Sequence, residues 1–352
     1  MVTSPSVTDG APLPADVDHR ISIVVPVYQG EATLGGLLDE IAPLTHPTST
    51  PEGHRFRVEE VLLVFDNGPD GSAQVIRQLE ARHHFVRAVW LSRNFGQHAA
   101  TLAGMASSGG DWIVTLDEDG QHDPVFIGGM IDTALREQAD LVYAAPSNRP
   151  PHGFVRNTAS KSSKKLLESF LGGGQASQFN SYRLILGEIA RSVAAYAGTG
   201  VYLDVALSWV SAKTVTSPVL LRDEGERTSG YSYRRLFAHF WRMVLTSGTR
   251  GLRFVTGVGA LFFAGGILFA LYLVIMRAFA VDIPAGWTSQ MVLTAAGIGA
   301  VLMALGIIAE YLGVTVSSAL GRPTYLIVRD PQSGPLGHAQ ITSRDSSDEH
   351  SA

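Results

Sequence analysis

Asp117, Asp119 and Gln121 stand at alternate positions directly after the apolar run Ile113-Val114-Thr115-Leu116. Two carboxylates and an amide oxygen are hard ligands, suited to a Mg²⁺ or Mn²⁺ ion that also holds phosphate oxygens. A short continuous apolar run reads as a buried strand, and ligands of open α/β sheets bind beyond the carboxyl ends of strands. The acids therefore occupy the place of a ligand, and the pattern points to a nucleotide diphosphate. Taken alone, the same residues also describe a solvated acidic turn, so the surrounding elements have to decide.

Those elements repeat one arrangement. Ile21 to Tyr28 is a β-branched strand that breaks at Pro26, and Gly30 to Leu34 opens a helix. Val58 to Phe65 is a second strand, running into Asp66-Asn67-Gly68-Pro69-Asp70-Gly71, and Ser72 to Arg82 has helical spacing. Val86 to Leu91 is a third, followed by Ser92-Arg93-Asn94-Phe95-Gly96-Gln97-His98 and a helix of small residues over Ala99 to Ser107. The acid loop ends the fourth, and Ala139 to Ala144 is a fifth. Strands alternating with helices imply a parallel, doubly wound α/β sheet with its polar loops gathered on one edge. Neither a Walker loop nor a GxGxxG follows the first strand, so side chains must hold any base and sugar. Asp66 can accept from a base or ribose, the backbone around Pro26 and Tyr28 can pack a base, and Arg93 is placed to reach phosphate. Arg149, Arg156, Lys161, Lys164 and Lys165 follow the fifth strand. Arginine pairs with phosphate bidentately, although a solvated helix face has the same composition. His83, His84, His98 and His122 lack metal-site spacing and read as ordinary surface or core residues.

The 352 residues carry a net charge of −5 and no cysteine. General attraction to nucleic acid is thereby excluded, as are disulfides, thiolate metal sites and cysteine nucleophiles. Residues 1–20 form a polar leader without a signal peptide's apolar core, and 331–352 a polar tail. Two apolar spans, 254–276 and 291–313, each exceed the ~18 residues that argue for a transmembrane helix. The first has no charge and the second only Glu310, near its end. Arg234, Arg235, Arg242, Arg250 and Arg253 precede this hairpin and Arg322 and Arg329 follow it. The positive-inside rule then puts both flanks, and the domain over 21–232, in the cytosol. Residues 233–253 mix Arg with Phe, Trp and Leu, as an amphipathic helix on an anionic membrane surface does; 315–330 is a cytoplasmic segment. Glu226 to Ser232 has the Gly-Ser character of a mobile lid or of an ordinary surface loop.

Val25-Pro26-Val27-Tyr28, Asp66-Asn67-Gly68, Ser92 to Gln97 and Leu116 to Pro124, with the C-terminal hairpin, resemble the family 2 glycosyltransferases that act on polyprenyl phosphates. Dolichyl-phosphate mannose synthases and undecaprenyl-phosphate sugar transferases belong to that group. The resemblance spans 21–330. It implies a GT-A, Rossmann-like domain followed by a two-helix transmembrane hairpin, and inverting transfer from a UDP- or GDP-sugar to a polyprenyl phosphate. By position, Pro26, Tyr28, Asp66 and Arg93 are assigned to the donor nucleotide. Asp117, Asp119 and Gln121 surround Mg²⁺ or Mn²⁺, with Asp119 the direct ligand. Arg149 and Arg156 hold the acceptor phosphate and complete, with the two aspartates, the catalytic set. Homo-oligomers occur in some branches. The chain departs from relatives at Gln178 to Arg183, where an acidic, glycine-containing segment is usual, and at Asn67, where a second Asp is common. An altered or lost activity, in a non-catalytic subunit of a glycan assembly system, is the competing expectation. A processive synthase is disfavoured, since no Gln-x-x-Arg-Trp motif is present.

Overall fold

The computed structural model describes residues 18–147, 179–198, 202–220, 222, 286–320 and 323–334, with 268, 271, 272 and 275. Five strands lie close to their expected positions: β1 (His19–Val27), β3 (Arg55–Phe65), β4 (Val86–Leu91), β5 (Trp112–Thr115) and β6 (Leu141–Pro146). Between them run α1 (Leu34–Ile41), α2 (Ser72–Arg82), α3 (Gln97–Ser107) and α4 (Ile127–Glu137), and the short β2 (Thr48–Ser49) pairs with β3. The rest was not foreseen from sequence: β7 (Arg183–Leu186), α5 (Gly187–Tyr196), α6 (Leu203–Val210), β8 (Thr214–Val219) and β9 (Ile327–Val328). A helix of 33 residues, α7 (Trp287–Ala319), precedes β9.

The sheet has the order β8-β6-β7-β5-β1-β3-β4-β9. It is mixed, which corrects the expectation of an all-parallel sheet. β1, β3, β4 and β5 are mutually parallel, but β7 lies antiparallel between β5 and β6, and β9 antiparallel on β4. The physical reason is entry direction: β7 begins at the edge where β5 ends, Thr115 standing opposite Arg183, and so runs back along β5. The reversal has a functional effect, because it delivers residues 179–182 to the edge that carries the acid loop.

β1 sits at the centre, and Ile21 to Val27 are buried without interruption. Covered on both faces, such a strand has no polar alternation. One face packs α1, α2 and α4 in a cluster that includes Ile23, Val25, Leu38, Ile76 and Met130. The other packs α3, α5 and α6 around Val24, Val64, Leu102, Ile113 and Val193. The small-residue composition of α3 follows from its closeness to the sheet: a Cβ on Gly104 would fall 2.3 Å from Val24 Cγ1 and 2.9 Å from Val64 Cγ2.

The hairpin expectation meets the structure only in part. Of 254–276, the described residues 268, 271, 272 and 275 are helical, and 291–313 lies within α7. Among the described residues no helix is long and apolar enough to cross a membrane. Residues 1–17, 148–178, 223–267 and 335–352 lie outside the described residues, and with them the lid, the amphipathic helix and most of the leader and tail expected from the sequence; His19 and Arg20, expected in the leader, open β1.

Candidate active site

Four parallel strands end at one edge, and their loops enclose a cleft of about 420 Å³ lined by Pro26, Tyr28, Asp66, Gln97, Asp117 and Asp119, among others. The structure thus brings together Pro26, Tyr28, Asp66, Asp117 and Asp119 as expected. Gln121 and Arg93 are not among the lining residues. Gln121 is bound through its backbone, its N–H donating to Asp119 Oδ1 at 3.0 Å and its carbonyl accepting from Arg222 N at 3.2 Å. The Arg93 guanidinium lies 4.2 Å from the Phe95 ring centre. Arg149 and Arg156 fall outside the described residues.

The acids divide their work by partner. Glu118 accepts from the Tyr28 N–H at 2.8 Å and the Gln29 N–H at 2.9 Å, which ties the β1 loop to the acid loop. Asp117 accepts from Gln97 Nε2 at 2.6 Å on Oδ1 and from Ser181 Oγ on Oδ2. Both donors are neutral and leave a lone pair on each oxygen. Asp119 Oδ1 closes a turn onto Gln121 N–H, aided by Gly120 at φ +77°. Two carboxylates of this kind fit a hard divalent cation.

Asp66 is buried, and its oxygens accept from the Phe95 N–H at 2.7 Å and the Gly96 N–H at 2.8 Å. Burial raises its pKa against the pull of those amides and of Arg93. It therefore holds the 92–97 loop in shape as well as lining the cleft. Asn67, at φ +51°, donates Nδ2 to the Leu91 carbonyl at 2.6 Å. An ionised aspartate has no hydrogen to donate there, which accounts for the departure from relatives without invoking base recognition. Gly68 packs against Tyr28 so closely that an added Cβ would lie 1.6 Å from the Tyr28 carbonyl oxygen. Gly68→Ala is accordingly expected to displace the 66–71 loop and weaken nucleotide binding at least tenfold, about 1.4 kcal/mol or more. Titration with UDP and GDP checks this, and unchanged affinity for whichever nucleotide the wild type binds would contradict it.

The altered segment is joined to the acids. Besides the Ser181 bond, Asn180 Nδ2 donates to the Ala144 carbonyl at 3.1 Å and Tyr182 Oη to the Asp123 carbonyl at 2.9 Å. Behind it, Arg183 and Asp204 form an ion pair at 2.5 Å with both side chains 3% exposed, and Tyr143 Oη donates to Asp204 at 2.8 Å. Burial raises the Asp204 pKa even with Arg183 alongside. Arg222, also missed from sequence, pairs with Asp123 at 2.6 Å and Glu40 at 2.7 Å and so ties the far end of the acid loop to α1. Gln97 had been read only as part of a motif; Ser181 and Arg222 carried no local signal, since only the fold brings them here.

His122 is buried and stacks on Tyr182 with ring centres 5.0 Å apart. Its Nδ1 accepts from the Asp117 N–H at 3.1 Å, which assigns the proton to Nε2. Burial lowers its pKa, outweighing the opposite pull of Asp117 and Asp119. The native state then binds this proton less readily than the unfolded chain. The stability it contributes is complete above the unfolded value of about 6.5 and is lost as pH falls through it. The thermal midpoint is expected to drop between about pH 7.5 and about pH 5.5, and to drop less in His122→Gln. Parallel curves for the two proteins would contradict this.

Glu52, His54 and Asp132 form a second group whose ligand atoms lie within 4.8 Å of one another, near enough to hold a cation. It lies by the amino-terminal end of β3, away from the cleft. Asp132 accepts from Thr50 Oγ1, from His54 Nδ1 at 2.9 Å and from the Glu52 N–H at 2.9 Å, while Glu52 pairs with Arg136. These bonds pin the turn before β3 onto α4.

Comparison with known proteins finds relatives over most of the chain. An undecaprenyl-phosphate 4-deoxy-4-formamido-L-arabinose transferase of Aeromonas hydrophila is 28% identical over 87% of this chain and 92% of its own length. One of Klebsiella pneumoniae is 29% identical over 89% and 95%. Among solved structures, glucosyl-3-phosphoglycerate synthase of Mycobacterium tuberculosis, in complex with Mn²⁺, UDP and phosphoglyceric acid, is similar with a TM-score of 0.47 and 18% identity. It covers 67% of this chain and 80% of that one. S. aureus TarS with UDP-GlcNAc gives 0.46 and 14% over 65% and 66%. The model of Glycosyl transferase family 2 matches residues 22–193, a stretch that begins in β1, ends in α5 and contains every loop of the cleft. Residues 22–193 form a domain that matches the family 2 glycosyltransferases.

Proposed function

We propose that the protein is a membrane-anchored inverting transferase that moves a sugar from a nucleoside-diphosphate sugar to a polyprenyl phosphate. The observation that carries the reading is the meeting of Asp66, Asp117 and Asp119 with Pro26 and Tyr28 around one cleft at the carboxyl edge of the sheet. Pro26, Tyr28 and Asp66 hold the nucleoside. Asp117 and Asp119 hold Mg²⁺ or Mn²⁺, which when bound supplies Lewis acidity to the departing diphosphate. Gln97 and Ser181 orient Asp117 for that task. Names of relatives over nearly their whole length support an undecaprenyl-type acceptor. A phosphate monoester has a second pKa of about 6 and arrives largely dianionic near neutral pH. It therefore needs cations more than a base, a role for Arg149 and Arg156. That requirement also fits a segment in which Ser181, rather than an acid, faces Asp117.

Anchoring rests on the sequence of 254–276 and on α7, whose only charged residue is Glu310. Leu293, Ile298, Val301, Leu305 and Leu312 on α7 are each more than half exposed, an apolar surface that needs a cover. The basic flanks support a place on the cytoplasmic leaflet.

The test supplies purified protein with radiolabelled UDP- and GDP-sugars, undecaprenyl phosphate and Mn²⁺, and counts label extracted into organic solvent. Lipid-linked product from one donor class is expected, and none from any donor would refute the reading. In Arg149→Ala the acceptor KM is expected to rise more than the donor KM; equal changes would remove that arginine from the acceptor site.

A further inference from the structure

The chain returns from α7 to the edge of the sheet at a telling position. Ile327 and Val328 pair with Leu91 and Trp90, and the Ser92 N–H donates to the Leu326 carbonyl at 3.0 Å. The pairing thus reaches the first residue of the loop whose Phe95 and Gly96 amides hold Asp66. From the β3 side, Asn67 takes the Leu91 carbonyl. The end of β4 is gripped from both neighbours just where it turns into the loop.

A two-residue strand is marginal alone, and this one has side-chain support. Arg77 on α2 meets Asp330 in a bidentate pair, Nε to Oδ2 and Nη2 to Oδ1 at 2.7 Å each. Both side chains are less than a quarter exposed, and the Arg77 guanidinium lies 4.7 Å from the Trp90 ring centre. Thr324 Oγ1 donates to the Ala197 carbonyl at 3.1 Å, and Tyr325 packs on the same core cluster as Phe95. By contrast, Ser92, Arg93 and Asn94 are exposed. A loop with so few buried contacts of its own takes its order from its ends.

We propose that residues 323–334 are a strap that positions the donor loop 92–97, with the Arg77–Asp330 pair as its pin. Arg77 and Asp330 are positioning residues, acting on the cleft through β4. The inference rests on the reading above only where nucleotide affinity is concerned. The competing role for β9 is to cover an open sheet edge, with no effect on the loop.

The experiment compares the full-length protein in detergent with Ile327→Pro, Asp330→Arg and the charge-swapped pair Arg77→Asp/Asp330→Arg. Amide hydrogen exchange is read at Phe95 and Gly96, with Ala190 and Val193 in α5 as internal controls. Both single variants are expected to lose about tenfold or more protection at Phe95 and Gly96 with α5 unchanged, and the swapped pair to regain most of it. UDP titrated with Mn²⁺ is expected to bind at least about fivefold more weakly to the single variants and to recover in the swap. Unaltered protection in the loop, an equal loss in α5, or no rescue by the swap would overturn the strap. Failure of UDP to bind the wild type would count against a uridine donor and leave the exchange data to decide.

Discussion

Asp119→Asn is expected to lower sugar transfer by about three orders of magnitude, close to 4 kcal/mol of transition-state stabilisation. The reasoning is local. Asp119 Oδ1 accepts the Gln121 N–H, and an asparagine keeps that oxygen, so the turn survives while the charge is lost. Asp117→Asn is a less clean experiment, because its two oxygens face the two donors Gln97 and Ser181; the new amide nitrogen fits only toward Ser181, whose hydroxyl must then accept instead of donate. The measure is lipid-extractable label, together with a thermal melt showing the variant folded. Retention of more than about a tenth of wild-type activity would remove Asp119 from the direct metal role.

The second large effect is on stability. In Asp204→Ala, Arg183 is left charged and buried with Tyr143 Oη deprived of its acceptor. Removing one partner of a buried pair costs about 3–5 kcal/mol, which for a domain of this size lowers the thermal midpoint by roughly 10 °C. Arg183→Met/Asp204→Leu is expected to recover part of the loss, since no charge stays buried, but not all, because Tyr143 still lacks a partner. A fall of under about 2 °C in Asp204→Ala would show that water reaches Arg183. Activity should fall with stability, as Arg183 Nε also donates to the Ser181 carbonyl at 3.4 Å, one bond from Asp117.

The parts of this molecule that could be read from sequence are those whose cause is local. The continuous apolar run of β1 announces a strand covered on both faces, Ser72 to Arg82 has its helical period, and the loops after β1, β3, β4 and β5 follow from strand–helix alternation. Pro26, Tyr28, Asp66, Asp117 and Asp119 are therefore legible as one group from the sequence alone. What the sequence hid depends on distant pairing. β7 is only Arg-Leu-Ile-Leu and β9 only Ile-Val, too short for periodicity to register. Their position comes from the neighbours they complete. Ser181 reaches Asp117 because β7 runs backwards, and Arg222 reaches Asp123 from the far end of β8. Arg93 was assigned from its loop alone, and its stacking on Phe95 was invisible without the side chain's direction.

The antiparallel wedge β7 also bears on how the chain is made. β5 is flanked by β1 and β7, and β6 joins the rest of the sheet through β7, with β8 on its outer side. On a ribosome, everything from Thr115 to Arg183 must emerge before that side of β5 is covered. At roughly 5–20 residues per second this leaves a bare strand edge for several seconds, with β6 waiting unattached and strongly apolar. Such an edge invites pairing with other nascent chains. The half of the domain from β1 to β5 can condense early around local βαβ units, while the half built on β7 comes late. Slow codons or a holding chaperone between those halves would change the yield of folded protein more than the same delay after β8.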